Sequence, residues 1–269
     1  MQFVDTSRPN VARIYDYLLG GKDNFASDRA AAEELLRLIP DAAFACQRNR
    51  RFMRRAVSFL AAEAGIRQFI DIGTGLPTQG NVHEVAQRSD PAARVVYADY
   101  DPIVVAHARA RLAAAGGGVV AIQRDLRHPE DILGDLDLQK TINLDEPVAI
   151  LLIAVLPFIE DDEGPHRSVD ALKAAMPAGS YLVLTHITDD EISAEASLRA
   201  QGVYQAATAR VRPRSRLAVE RFFEGLQVVE PGVVDTSQWR PEWALPHPGR
   251  ILNYAGVARK PLPECSEPR

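Results

Sequence analysis

The stretch "FIDIGTGLPTQGN", Phe69 to Asn81, decides how this chain is read. A strand-like apolar run carries Asp71 at its end, and Gly73 and Gly75 then flank a single threonine, Thr74. In open α/β sheets such a strand-to-turn junction is where ligands bind, beyond the carboxyl ends of the strands. The dinucleotide fingerprint G-x-G-x-x-G/A asks for a small residue at its sixth position, and Thr78 stands there instead. Pro77 also disfavours a helix that begins directly after the second glycine. A pyrophosphate is poorly served by this turn, and the carboxylate of Asp71 repels it.

Outward from the turn, strand-like runs recur as "QFIDI", "RVVYAD", "VVAIQRD", "PVAILLIAV", "SYLVLTHI", "LQVVE" and "ILNYAGVA". Helical patterns at "TQGNVHEVAQ", "PIVVAHARARLAAA" and "EGPHRSVDALKAAM" separate several of them. Strands apolar on both faces, alternating with helices, predict an α/β fold with a doubly wound, mostly parallel seven-stranded sheet covered on two sides. Val11 to Ala64 reads as helical, broken at "GGKDN" and Pro40. Residues 189–224 read as a helical insertion, with Leu217, Phe222 and Phe223 on an apolar side. "AAAGGG", Ala113 to Gly118, reads as a helix end with a glycine cap.

The bulk numbers narrow the classes. The 269 residues carry a net charge of −5, with 46% hydrophobic and 25% charged residues, an ordinary globular balance that exerts no pull toward nucleic acid. The longest apolar run, "VAILLIAVLPFI", is too short to span a bilayer, and the N-terminus lacks a signal-peptide pattern. Cys46 and Cys265 form no disulfide framework, so a cytoplasmic protein without a membrane anchor is expected.

A cationic ligand turns the acid at the turn into an advantage. S-adenosyl-L-methionine carries an ammonium and a sulfonium and no phosphate. Glycines let the backbone approach its amino-acid part, and Asp71 attracts the ammonium directly or through water. The second strand ends at Asp99, placed to accept hydrogen bonds from ribose hydroxyls. Asp101, before Pro102, reads as a helix cap. The third run ends at Asp125 and Leu126, suited to the adenine amino group and ring. Any one acid here is weak evidence, because capping aspartates are common at strand ends; the three together form the pattern.

This layout resembles class I S-adenosylmethionine-dependent methyltransferases, and more closely the actinobacterial DUF574 family of predicted methyltransferases. The resemblance rests on "PNVARIYDYLLGGKDNFASDR", the opening stretch, "VVYADYDPIVVAHARA", "RDLRHPEDIL", "GSYLVLTHIT" and "SQWRPE", and covers nearly the whole chain. It implies an N-terminal helical cap over residues 1–64, a cofactor-binding core over 65–260, and a flexible tail from 261. It implies methyl transfer to a small-molecule acceptor, with Thr74, Tyr100 and Ala154 joining the cofactor set. One departure stands out: "AVLPF" places Pro157 where the family pattern has histidine. A non-catalytic cofactor sensor and an NAD(P)-dependent oxidoreductase remain as alternatives.

Other polar features carry two readings each. "YDYLLGGKDNF" is either a lid that brings Tyr15, Lys22 and Asn24 over the cofactor or an interhelical turn. "CQRNRRFMRRAVSFL" is a basic patch for an anionic acceptor or a solvated helix face; the second is expected. His186, beyond the fifth strand, is a candidate base alongside Tyr15, or a structural histidine. The six histidines show no metal-ligand spacing. Trp239 and Trp243 line a pocket or pack in a connection.

Overall fold

Five apolar runs become the parallel half of one sheet: β1 (Gln68–Ile72), β2 (Arg94–Asp99), β3 (Val119–Gln123), β4 (Ala149–Ile153) and β5 (Tyr181–Ile187). The sheet is completed by β6 (Gln227–Val228), β7 (Val234–Asp235) and β8 (Asn253–Arg259), in the order β3-β2-β1-β4-β5-β8-β6, with β7 also on β8. β8 runs antiparallel to β5, and β6 and β7 are antiparallel to β8. The computed structural model describes residues 5–77, 80–112, 118–241 and 249–263. Thr78, residues 113–117, Trp243, His247 and the tail with Cys265 lie outside the described residues.

Strand order reverses between β1 and β4, whose neighbours in register are Asp71 and Leu151. A cleft opens at such a switch point beyond the strand ends. Alternate β1 residues pack oppositely: Ile70 and Ile72 join Val96, Ile150 and Leu182 on one face, while Phe69 joins Val95, Leu151 and Val183 on the other. A parallel sheet covered on both faces requires this continuous apolar composition.

Ten helices are seen among the described residues. α1 (Val11–Leu18), α2 (Ala26–Leu38) and α3 (Ala42–Ala62) precede the sheet. α4 (Val82–Ser89), α5 (Pro102–Leu112), α6 (Pro129–Leu133), α7 (Leu136–Thr141) and α8 (Pro165–Ala175) lie among the parallel strands. α9 (Ala194–Gln205) and α10 (Arg216–Glu220) form the insertion after β5. α1 starts where it does because the Asn10 side chain accepts from Ala12 N and Arg13 N, an N-cap at the first free amides. Ile14, Leu18, Ala32 and Leu35 of α1 and α2 share an apolar cluster with Ala200 of α9. The N-terminal helices and the insertion thus make one layer of their own.

The structure departs from the periodicity in small ways. α6 and α7 were not legible, being only five and six residues long. The two-residue β7 was likewise missed. Phe222 and Phe223 are buried as expected, but Leu217 is 74% exposed, because α10 ends after five residues and turns its apolar contact over to the 3-10 turn Arg221–Phe223. No helix among the described residues is long and apolar enough to cross a membrane.

Candidate active site

The turn after β1 is built on two left-handed glycines, Gly73 (φ 72°) and Gly75 (φ 65°). A Cβ on Gly73 would stand 2.2 Å from Val155 Cγ2, so both conformation and space demand glycine there. Asp99 braces the turn from β2: one carboxylate oxygen accepts from Gly75 N (3.0 Å) and the other from Asp101 N (2.9 Å). Each oxygen retains a second lone pair. Asp71 is buried and accepts from the Thr74 hydroxyl at 3.1 Å. Burial pushes both acids up to about 6; the charge of Arg50 opposes the shift at Asp71, and the two backbone donors oppose it at Asp99.

Two adjoining cavities of about 110 Å³ each open over these acids. The first is walled by Asp71, Gly73, Thr74, Gly75, Asp99, Tyr100, Ala154 and Val155, and by Tyr15 and Arg50 from the N-terminal helices. The second is apolar and lies under α1, α2 and α9. Val11, Tyr15, Ala154 and Phe158 belong to both walls. Ala154 holds a left-handed backbone (φ 54°), anchored by its N–H to the Thr185 hydroxyl at 2.9 Å. Strain of this kind in a non-glycine residue gathers at functional sites. A polar groove of about 470 Å³ continues from Gly73 and Tyr100 to Asp125, Leu126 and Arg127. Asp125 is gripped by Arg127 (2.6 Å), which also holds Glu163 (2.7 Å). Burial raises the Asp125 carboxyl, yet the bonds from Arg127 outweigh it and hold the group below its ordinary value.

Several expected residues land elsewhere. Lys22 is exposed, and neither it nor Asn24 lines a described cavity. The "GGKDN" loop instead wraps around Asp16, whose carboxylate accepts from Asp23 N (2.9 Å) and the Asn24 amide (2.8 Å). A Cβ on Gly21 would collide with that carboxylate, so the glycine serves the turn. Tyr15 does reach the site; its hydroxyl donates to Cys46 O (3.3 Å) and accepts from the Asn49 amide (3.1 Å).

His186 is fully buried and lines neither cavity, which corrects its candidacy as a base. Its Nδ1 donates to Ile187 O (2.8 Å), leaving Nε2 to accept from Arg214 (2.8 Å). Burial foremost holds its pKa down to about 3, so the ring stays neutral and structural. Trp239 is fully buried against Phe52, edge to face at 5.5 Å, and is a packing residue. Among the described residues no group of three His, Cys, Asp or Glu side chains could hold a metal.

The arginine run on α3 is the main feature that sequence reasoning misjudged. Arg48 is buried and donates to Arg250 O (2.7 Å), and Arg55 caps Thr236 O (2.6 Å) and Trp239 O (2.9 Å). Arg50 turns into the first cavity. Only Arg51 and Arg54 are exposed, so the helix presents its cations to carbonyls and to the site more than to solvent. A sequence signal existed: Cys46, Arg50, Met53, Val57 and Leu60 follow helical spacing, which puts one cation in an apolar stripe.

Residues 1–261 match the model of the family described as S-adenosyl methyltransferase. The chain belongs to that family. Two solved structures resemble this methyltransferase over nearly their full length, each at 41% identity and a TM-score of 0.90. One is a proposed methyltransferase from Thermobifida fusca YX (96% of this chain, 97% of that one), the other a DUF574 family protein from Streptomyces avermitilis MA-4680 (96% and 99%). The N-methyltransferase NodS from Bradyrhizobium japonicum WM9 shares the fold at 14% identity and a TM-score of 0.50, covering 80% of this chain and 97% of its own. No protein of curated function matches the sequence.

The residues of this methyltransferase fit the cofactor of its family. The turn offers glycine backbone where a side chain would intrude, buried acids on two adjacent strand ends, and a guanidinium whose Nε and Nη2 have no acceptor. Pro157 is buried and lines none of the described cavities; its carbonyl accepts from Arg212 N at 2.7 Å. The proline at the departure from the family pattern therefore shapes the turn after β4 and stands outside the three described cavities.

Proposed function

We propose that this protein transfers the methyl group of S-adenosylmethionine to a small, apolar, uncharged acceptor seated in the second cavity. The observation that carries the reading is the shared wall: Tyr15, Ala154 and Phe158 border both the acid-lined cavity and the apolar one. The cofactor, when bound, supplies an already activated sulfonium methyl. The protein's part is then alignment and exclusion of water.

Asp71 takes the ammonium at the amino-acid end, with the backbone of Gly73 to Gly75 close beside it. Asp99 accepts from the ribose hydroxyls with the lone pairs left free by Gly75 N and Asp101 N. Leu126 packs on the adenine in the polar groove, and the Asp125 carboxylate, fixed by Arg127, receives its amino group. Tyr100 borders both the first cavity and that groove, as a residue beside the ribose would. Asn24 holds the cap's loop through Asp16 and Gly21 O, Lys22 is exposed, and neither takes part in this reading.

Among the described residues no Lys, Arg or His lines the second cavity, and Asp189 does, so an anionic acceptor finds no countercharge in that wall. Its wall is mainly Leu18, Leu35, Ile39, Ile192, Val211 and Leu252, and it lies under helices, a poor match to a nucleic acid. A protein acting on a soluble metabolite in the cytoplasm fits these features. The test is incubation of the protein with methyl-labelled S-adenosylmethionine and a panel of small acceptors, read by mass spectrometry. Label is expected in neutral aromatic or aliphatic nucleophiles and not in their carboxylated or phosphorylated counterparts. Turnover confined to anionic acceptors would overturn the reading.

A further inference from the structure

We propose that Asn253 and Tyr204 read a hydroxyl on the methyl acceptor, so that the second cavity selects hydroxyl-bearing apolar molecules over hydrocarbons of the same shape. The inference rests on the reading of that cavity as the acceptor's seat and names the group by which the acceptor is recognised. Its ground is a pair of polar side chains left unpaired in an apolar space. Asn253 is only 6% exposed and lines the second cavity, yet neither end of its side-chain amide has a hydrogen-bond partner among the described residues. Tyr204 lines the same cavity, and its hydroxyl has no partner there either. Buried polar groups are nearly always satisfied, so an unpaired amide in a cavity wall is a seat for a polar group that binds there.

The other hydroxyl, amide and carboxylate side chains of that wall each have at least one partner in the fold. The Tyr15 hydroxyl meets Cys46 O and the Asn49 amide. Thr188 Oγ1 accepts from Asp190 N (3.2 Å), and Ser197 Oγ donates to Asp189 (2.6 Å) and accepts from Gln201 Nε2 (3.0 Å). Ser168 Oγ and Trp239 Nε1 are also unpaired, but they line none of the described cavities. The two free groups of the second cavity come from different layers. Asn253 opens β8 in register with Ile187 of β5, whereas Tyr204 lies on α9, its ring 5.6 Å from Phe158 of the shared wall. A molecule seated between sheet and insertion thus meets both. Burial foremost pushes the Tyr204 hydroxyl above its ordinary value, so it stays protonated and can donate. A side-chain amide donates through its nitrogen and accepts through its oxygen. A hydroxyl answers both residues, accepting from Tyr204 and donating to Asn253 Oδ1, and neither partner brings a charge that would require one on the acceptor.

The probes are 4-fluorophenol and 4-fluorotoluene, which differ by a hydroxyl in place of a methyl of similar size, titrated by fluorine NMR with S-adenosylhomocysteine present. The wild type is expected to bind 4-fluorophenol about tenfold more tightly, the range of one or two neutral hydrogen bonds in a dry site. Tyr204→Phe and Asn253→Leu are each expected to remove most of that preference by weakening 4-fluorophenol alone. Asn253→Leu is also expected to melt no lower than the wild type, since it deletes an amide that the fold leaves unpaired. Tyr204→Phe removes one oxygen and no packing carbon, so it tests the inference even if Asn253→Leu fails to fold. Equal wild-type affinity for the two probes would overturn the inference, as would a preference that survives both substitutions. An equal fall for both probes in Tyr204→Phe would also overturn it, by making that hydroxyl structural. If the wild type bound neither probe, the reading of the second cavity as an apolar acceptor's seat would itself fall, and the two failures are thereby distinguished.

Discussion

At the scale of single residues, the site is governed by two buried acids whose charged forms burial disfavours. Both Asp71 and Asp99 therefore sit near 6, against an ordinary value of 3.8. A raised acid gives its stability to the fold below the unfolded value and loses it as pH climbs through the folded one. The empty site therefore grows more costly from about pH 4 to above pH 6, and a cationic ligand offsets that cost by meeting the carboxylate it needs. Between pH 5 and 7 the ligand's ammonium stays charged, so the acids alone set the trend. Affinity for S-adenosylhomocysteine is expected to rise by about fivefold or more from pH 5 to pH 7 and then level off, with the limb near 6. Calorimetry across that range checks it; a flat profile would mean that neither carboxylate meets a charge. His186 adds nothing to this limb, since its ring is neutral throughout.

At the scale of elements, the β1 turn and the β4 turn are one construction. Gly73 has no room for a side chain because Val155, after β4, fills the space a Cβ would need. Gly73→Ala meets both a left-handed backbone and a steric clash, and is expected to cost about 3 kcal/mol of stability. Urea unfolding measures the loss. Adding Val155→Ala should return the steric share and leave the backbone share, whereas no recovery would place the whole effect in the backbone. The glycines and acids here were legible because strand, turn and acid follow one another within a few residues. Arg50 was not. A helix with five arginines looks solvated in composition, and only the tertiary packing of α3 against α4, β4 and β8 decides which cations turn inward. The "GGKDN" loop failed in the opposite direction: its polar residues suggest a lid, but the nearby Asp16 absorbs its donors, a local pairing that spacing alone does not reveal.

At the scale of the whole molecule, the doubly wound class and the parallel strands followed from apolar runs that bury both faces, while the strand order came only with the structure. The antiparallel direction of β8 did not follow, because an apolar run carries no sign of its direction, nor did the two-residue β7, which is too short to show periodicity. The layer above the sheet depends on long-range contacts. Asn10 donates to Asp101, Thr208 N donates to Pro9 O at 3.0 Å, and Arg8 donates to Ala206 O at 3.2 Å. These tie the start of α1 across the first cavity to both the core and the insertion, and no local motif could announce them. The second cavity exists because that layer closes over the strand ends.

The central claim is that the acids at the ends of β1 and β2 bind S-adenosylmethionine. The most direct measurement is a calorimetric titration of the protein with S-adenosylmethionine, S-adenosylhomocysteine and NAD, with Asp99→Ala as control after a thermal melt shows that it is folded. Saturable binding of the first two at one molecule per chain, weakened about tenfold or more in the variant, is the predicted result. Binding of NAD alone, or equal binding of S-adenosylmethionine by wild type and variant, would contradict it.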